Sequence, residues 1–171
     1  LVTNLLAGAS SVADYQVFQG QGWLSFHLFQ SGHAASLAAC APGDTRQQCA
    51  VRRARELPLG LWALSPTRPA ANGEGGYENP LDPAAAPPDN RFGARQTALA
   101  SLLSGAFGFT LGVQGIYSWD NPLAVLDSPG SLDMARLSLF FRARPWQDLV
   151  PRPERPPALA GRRSMAAGRS H

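Results

Sequence analysis

The sequence predicts an α/β fold with a parallel sheet, and three observations carry that prediction. Segments with the apolar run of a buried strand alternate with segments of helical period, three times in succession, which is the signature of βα units. No glycine-rich nucleotide fingerprint stands at a strand-to-helix junction, so an open doubly wound sheet has no ligand motif behind it. Polar and aromatic residues collect instead where each predicted strand ends, as they do at the functional face of a (β/α) barrel. A piece of such a barrel is the expected architecture.

The first predicted strand is QGWLSFHLFQSGH, residues 21–33, an apolar run with aromatics closed by Ser31 and Gly32. Helix can continue over residues 34–40 until Pro42 and Gly43 break it. Asp44 with Gln47 three residues on makes a capping-box pattern. It predicts a helix that ends at Leu57, before Pro58, with Arg52, Arg53, Arg55 and Glu56 on a solvated face. A second strand over residues 67–72 runs into the glycine-rich stretch around Glu74. Residues 79–90, rich in Pro and Ala, read as loop. Residues 94–107 are the clearest helix, with Leu99, Leu102, Leu103 and Phe107 at helical spacing. The third strand covers residues 109–119 and carries Val113, Ile116 and Tyr117. After the turn Asp127-Ser128-Pro129-Gly130, Ser131 is expected to cap a last helix reaching Arg144. Its apolar side holds Met134, Leu137, Phe140 and Phe141, and Pro145 ends it.

With 171 residues, 44% hydrophobic and 16% charged, the chain can bury one real core. Its net charge of +3 is a property of one end: after Pro151 five arginines face Glu154 alone, giving +4 there and −1 for the rest. The folded part is therefore not basic, and no nucleic-acid partner is expected. No apolar run reaches the ~20 residues of a membrane span. Cys40 and Cys49 are open to two readings, a disulfide in an exported protein or two separate thiols, and their spacing matches no zinc motif. No metal and no cofactor is expected. The chain enters directly into the apolar stretch 1–6 with no signal segment in view, as if cut from something longer.

The candidate chemistry lies at the three strand ends: Gln30 and His33 after the first, Glu74, Tyr77 and Glu78 after the second, Trp119, Asp120 and Asn121 after the third. Parallel neighbouring strands would bring these to one rim. Carboxylates and aromatics on a rim suit carbohydrate: one carboxylate attacks or stabilises the anomeric carbon, a second protonates the leaving oxygen, and an indole packs on the sugar's C–H face. The residues alone leave other readings open. Glu74 among glycines can be a solvated loop glutamate, Glu78 a turn residue before Asn79-Pro80, His33 a helix cap, and Trp119 a core residue. Trp23, Trp62 and Trp146 read as packing residues. No nucleophile-elbow pattern supports a serine triad.

Four stretches, WLSFHLFQSGH (23–33), PTRPAANGEGGYE (66–78), ARQTALASLLSGAFGFTLGVQGIYSW (94–119) and LVP (149–151), resemble the apiosidase-like glycoside hydrolases in order and approximate spacing. The family's enzymes are bacterial (β/α)-barrel glycosidases acting on plant cell-wall and related glycans, and the resemblance covers roughly residues 20–151. It implies a partial TIM (β/α)8 barrel, about strands five or six to eight. It also implies an organisation of residues 1–151 as the C-terminal half of the barrel and residues 152–171 as a disordered or aberrant tail. Glu74 at the end of strand seven would be the catalytic nucleophile of a retaining glycoside hydrolase. Gln30, His33, Tyr77, Glu78 and Trp119 would bind the carbohydrate substrate. The acid/base carboxylate of such enzymes belongs to an earlier strand, and no motif makes Asp14 that acid. The catalytic domain is therefore expected to be incomplete, with possible self-association through its exposed barrel edges, and the full-length parent to be secreted or periplasmic. A non-catalytic carbohydrate-binding or structural remnant of a barrel is the alternative.

Overall fold

A computed structural model describes residues 2–4, 11–32, 40–82, 84–85 and 89–152. His33, residues 34–39 of the expected helix and nearly all of the tail fall outside the described residues. The elements run β1 (Val2–Asn4), α1 (Val12–Gln16), β2 (Phe26–Gln30), α2 (Arg46–Trp62), β3 (Ala70–Glu74), β4 (Tyr77–Glu78), α3 (Arg91–Leu103), β5 (Gly108–Phe109), β6 (Gly112–Val113), α4 (Pro122–Val125) and α5 (Pro129–Arg142), then a 3-10 turn, Trp146–Asp148. Four strands form one sheet in the order β1-β2-β3-β5, every pair parallel. A parallel two-stranded sheet, β4-β6, extends it beyond the ends of β3 and β5. Strand order follows chain order, with no point at which it reverses. Right-handed crossovers then place the connecting helices α2 and α3 on the same face. The result is a mixed α/β fold with parallel sheets. The parallel arrangement matches the sequence reading, which missed β1 in the apolar stretch at the start.

The core lies between sheet and helices. Tyr15, Phe29, Leu57, Leu61, Ala70 and Ala106 form it, with Val12 and Leu64 packed against its edge. Along β2, His27 and Phe29 are buried while Phe26, Leu28 and Gln30 are half-buried, so alternation turns one face to the helices. Each large apolar side chain buried here contributes about 1.5–3 kcal/mol. Gly60 of α2 sits so close to Val12 that a Cβ would lie 2.3 Å from the valine Cγ2, and this absence of a side chain lets α1 dock on α2.

Several local expectations are corrected. The cap of α2 is Thr45, whose side chain accepts from the Gln48 amide while Gln48 reaches back to the Thr45 amide at 2.9 Å. Asp44, expected as the cap, instead holds Arg52 at 2.7 Å. The helix passes through Pro58 and ends at Trp62, because the proline ring is buried between Leu57 and Leu61 and that packing outweighs the ~3 kcal/mol a proline costs a helix. Arg53, expected on a solvated face, is 6% exposed. In α3 the cap is Asn90, which accepts from the Gly93 amide at 3.0 Å. The buried stripe of α3 is Gly93, Ala94, Thr97, Ala98 and Ser101, not the leucines, and Leu103 is exposed. Small residues on that face let α3 approach α2 and the sheet closely. The strand expected over residues 109–119 is two dipeptide strands separated by Thr110-Leu111, and the chain turns at Gly115, φ +92°. Cys40 and Cys49 are disulfide-bonded, Cα atoms 5.4 Å apart, tying the approach to α2 onto its first turn.

The cap of α5 is Ser128, with Pro129 in the first turn where its missing N–H costs nothing, so Ser131 moves from cap to interior. Asp133, 6% exposed, joins α5 to α3 through a bidentate pair from Arg91 at 2.7 and 3.0 Å, with Arg136 and Arg95 beside it. The Arg91 hydrogen bonds hold the Asp133 carboxyl below the usual carboxylate range, against the opposing effect of burial. Its stabilisation is therefore complete above the unfolded-state value of about 3.9 and is lost as pH falls through the lower folded value. Asp133→Asn is expected to lower the melting temperature by several degrees at pH 7, with the difference from the unsubstituted chain shrinking in strong acid. Thermal melts of both proteins between pH 7 and 2 check this, and a difference that stays constant with pH would contradict it.

Candidate active site

The rim is built around Glu74, the last residue of β3. In a regular strand Asn72 and Glu74, two apart, share a face. The register breaks that rule: Phe29 pairs with Asn72, but Gln30 pairs with Glu74, so Gly73 is an extra residue on β3. Such a bulge re-aims the side chain that follows it. Gly73 lies over Leu28, where a Cβ would stand 2.7 Å from the leucine Cγ.

The Glu74 backbone is held on both sides. Its carbonyl accepts from the Ser31 amide at 2.9 Å and the Gly32 amide at 3.1 Å, and its own amide donates to Asn72 Oδ1 at 3.2 Å. Gly32 packs directly on the next loop: a Cβ there would lie 2.3 Å from the Gly76 nitrogen and 2.5 Å from the Gly75 carbonyl carbon. The Tyr77 phenol stands beside the Glu74 carboxylate, close enough for its charge and a hydrogen bond to bear on the phenol's titration. Burial, followed by the Glu74 charge and that hydrogen bond, pushes the Tyr77 phenol above its ordinary pKa, so it stays a donor at physiological pH. The Tyr117 ring stands 5.0 Å from that of Tyr77 and is 60% exposed.

The structure thus brings Gln30, Glu74 and Tyr77 together. Trp119 lies two residues beyond Tyr117, 78% exposed, with φ +59°, a left-handed conformation uncommon for a bulky residue. That exposure excludes the core reading. Glu78 corrects the expectation of a substrate contact. It is 2% exposed, and its carboxylate accepts from Ser128 Oγ at 2.7 Å and the Gly130 amide at 2.9 Å. It tethers the N-terminus of α5, where a carboxylate also meets the positive end of the helix dipole. Asn72 and Tyr117 went unrecognised in the sequence as site residues. The spacing of Tyr117 and Trp119 around Ser118 was the available sign for the tyrosine, and nothing marked the asparagine. Among the described residues no group of three or more His, Cys, Asp or Glu could hold a metal ion, and no helix is long and apolar enough to cross a membrane.

A 310 Å³ apolar groove lies elsewhere, lined by Trp62, Phe107, Phe109, Met134, Leu137 and Phe141 among others. None of Gln30, Glu74, Tyr77 or Trp119 lines it.

These residues sit at the strand ends of a mixed α/β fold with parallel sheets, and comparison with known proteins places it further. A family model described as "Apiosidase-like, catalytic domain" matches residues 7–148. The chain belongs to the apiosidase-like family. Among solved structures it is similar to a glycoside hydrolase family 5 protein from Bacteroides vulgatus, 23% identical over 75% of this chain and 31% of that one, TM-score 0.57. A second structure, titled glycoside hydrolase, is also 23% identical, over 75% of this chain and 32% of its own, TM-score 0.56. The likeness is one of fold, and the chain spans about a third of the length of either structure. No curated protein sequence matches it significantly.

Proposed function

We propose that the chain is the C-terminal arc of a (β/α)8 barrel, strands five to eight, from a retaining glycoside hydrolase with Glu74 as nucleophile. The observation that carries this is the Glu74 carboxylate at the C-terminal end of a parallel strand, beside the Tyr77 phenol. Catalytic groups of parallel barrels stand at that end. In the proposed reaction one Glu74 oxygen attacks the anomeric carbon while the leaving oxygen takes a proton from a carboxylic acid about 5–5.5 Å away. Water then displaces Glu74 from the sugar with help from the same acid, now a base. Tyr77 stands beside Glu74, and Gln30, His33, Trp119 and Tyr117 are the groups proposed to bind sugar. Glu78, closed into the protein, cannot be that acid here, so the partner is proposed to come from outside residues 1–151. A retaining enzyme releases a first product with the anomeric configuration of its substrate. Proton NMR of fresh product from the proposed complete barrel enzyme tests the mechanism, and first-formed product of inverted configuration would overturn it.

The arc reading is supported by the sheet order, in which β1 and β5 are paired on one side only among the described residues, and by the apolar groove beside β5. Open edges and uncovered apolar surface favour association. The chain by itself is expected to dimerise or to melt at low temperature, with a midpoint that rises with protein concentration. Sedimentation velocity and melts over a hundredfold concentration range check this, and a cooperative, concentration-independent monomer would count against the arc. A secreted or periplasmic parent is proposed from the Cys40–Cys49 bond, since disulfides persist in oxidising compartments. The second reading, a non-catalytic carbohydrate-binding remnant, is favoured only by the burial of Glu78, which removes one rim carboxylate.

A further inference from the structure

We infer that Asn72 is a positioning residue for Glu74: its side-chain amide bridges the bulge of β3 and ties the Glu74 backbone to the end of β2 and to α3. The inference builds on the reading of Glu74 as the working carboxylate, but the contacts stand independently of it.

Asn72 is fully buried. Its Nδ2 donates to Ser31 Oγ at 2.8 Å and to Ser101 Oγ at 2.9 Å, and its Oδ1 accepts from the Glu74 amide at 3.2 Å. The neighbours settle which way the amide faces. Ser101 Oγ already donates its proton to the Thr97 carbonyl at 3.0 Å, so toward Asn72 it can only accept. The –NH2 therefore faces the serines and the oxygen faces Glu74. A flipped amide would set its oxygen against an acceptor and its nitrogen against the Glu74 N–H.

An asparagine is an expensive choice for this position if packing is its whole task. A buried amide costs free energy unless bonded, and a valine or leucine would fill the space between β3 and α3 without that cost. What the amide adds is directional. A fully satisfied polar network in a low-dielectric interior fixes one arrangement out of several similarly packed ones. A bulge needs such fixing, because the extra residue Gly73 has no side chain to anchor it and could be absorbed at another register. Slipping the bulge by one residue would turn the Glu74 carboxylate away from Tyr77. Asn72 holds the strand on both sides of the bulge at once: by its own backbone, whose carbonyl accepts from the Thr110 amide of the β5 side at 2.8 Å, and by its side chain across to residue 74. Ser31 belongs to the same assembly. It is fully buried, accepts from Asn72 through Oγ, and donates its amide to the Glu74 carbonyl. The Glu74 amide and carbonyl are thus both fixed by one connected pair, Asn72 and Ser31.

The test is NMR on this chain, which has four glutamates, Glu56, Glu74, Glu78 and Glu154, so that 13C-carboxyl labelling resolves each and Glu74→Gln assigns the relevant one. In Asn72→Ala the Glu74 amide is expected to exchange with solvent at least about tenfold faster. In the unsubstituted chain the Glu74 carboxyl resonance is expected to respond to Tyr77→Phe, and in Asn72→Ala that response should be lost. The Phe107 amide, bonded to the Ala70 carbonyl on the same strand, should keep its protection. Asn72→Asp retains an oxygen facing the Glu74 amide and should restore the protection of that amide. If Asn72→Ala does not fold, Ser101→Ala, which removes one of the two anchors, is expected to speed exchange at Glu74 by a smaller factor, with Phe107 unchanged. A folded Asn72→Ala chain with unaltered Glu74 exchange and carboxyl response would overturn the inference. So would a uniform loss of protection at Glu74 and Phe107 that Asn72→Asp does not reverse. Neither readout depends on turnover, so the positioning role can fail while the nucleophile assignment stands, and the reverse.

Discussion

Glu74→Gln, made in the complete barrel enzyme proposed above, is expected to lower turnover by several orders of magnitude with little change in melting temperature. Glutamine keeps the shape and can still accept the Tyr77 hydroxyl, but it has no charge with which to attack an anomeric carbon. Substrate binding should survive, so the loss should fall on kcat rather than KM. Glu78→Gln should do the opposite. It disturbs the Ser128 and Gly130 contacts at the start of α5, so it should cost stability first and turnover only through it. Steady-state kinetics beside thermal melts separate the two, and a Glu74→Gln enzyme with near-normal kcat would remove Glu74 from the reaction.

Gly32→Ala should be the most damaging small substitution in the chain. The added carbon would stand 2.3 and 2.5 Å from backbone atoms of Gly76 and Gly75, which cannot rotate aside as a side-chain tip can. One of the two loops must move, and overpacking of this kind costs about 1–3 kcal/mol. The same shift pulls the Ser31 and Gly32 amides off the Glu74 carbonyl. A lower melting temperature together with faster amide exchange at residues 31 and 32 is expected. An alanine variant as stable as the parent would show that the two loops do not meet as described.

What the sequence disclosed and what it hid divide along physical lines. The alternation of strand and helix was legible because burial of one face imposes a period, as in the Phe26–Gln30 segment. The ends of elements were shifted by several residues, since Asp44 and Thr45, or Ser128 and Ser131, are equally good caps on paper and tertiary partners decide between them. Asp44 lost the cap to Thr45 and pairs with Arg52 instead. Pro58 read as a stop because a local rule was applied where burial wins. The packing face of α3 was misread because Leu99 and Leu102 are more hydrophobic than Ala94, Ala98 and Ser101, yet close approach selects the smaller residues. At the site, the residue types of Glu74, Tyr77 and Gln30 pointed to the rim, whereas the fate of Glu78 depended on the distant Ser128 and Gly130, fifty or more residues away. The bulge at Gly73 leaves no mark in sequence, because it exists only in the pairing of two strands.

The account turns on one bond, between Glu74 and a sugar. Incubating the complete barrel enzyme with dinitrophenyl 2-deoxy-2-fluoroglycosides of several sugars measures it directly. The fluorine slows both steps, and the activated leaving group expels itself without an acid, so the glycosyl-enzyme accumulates. Peptide mass spectrometry should then find one fluorosugar added to the peptide containing Glu74, and no addition in Glu74→Gln. A label on Glu78, Asp120 or any other residue would contradict the account, as would continued turnover of the fluoroglycosides with no residue labelled.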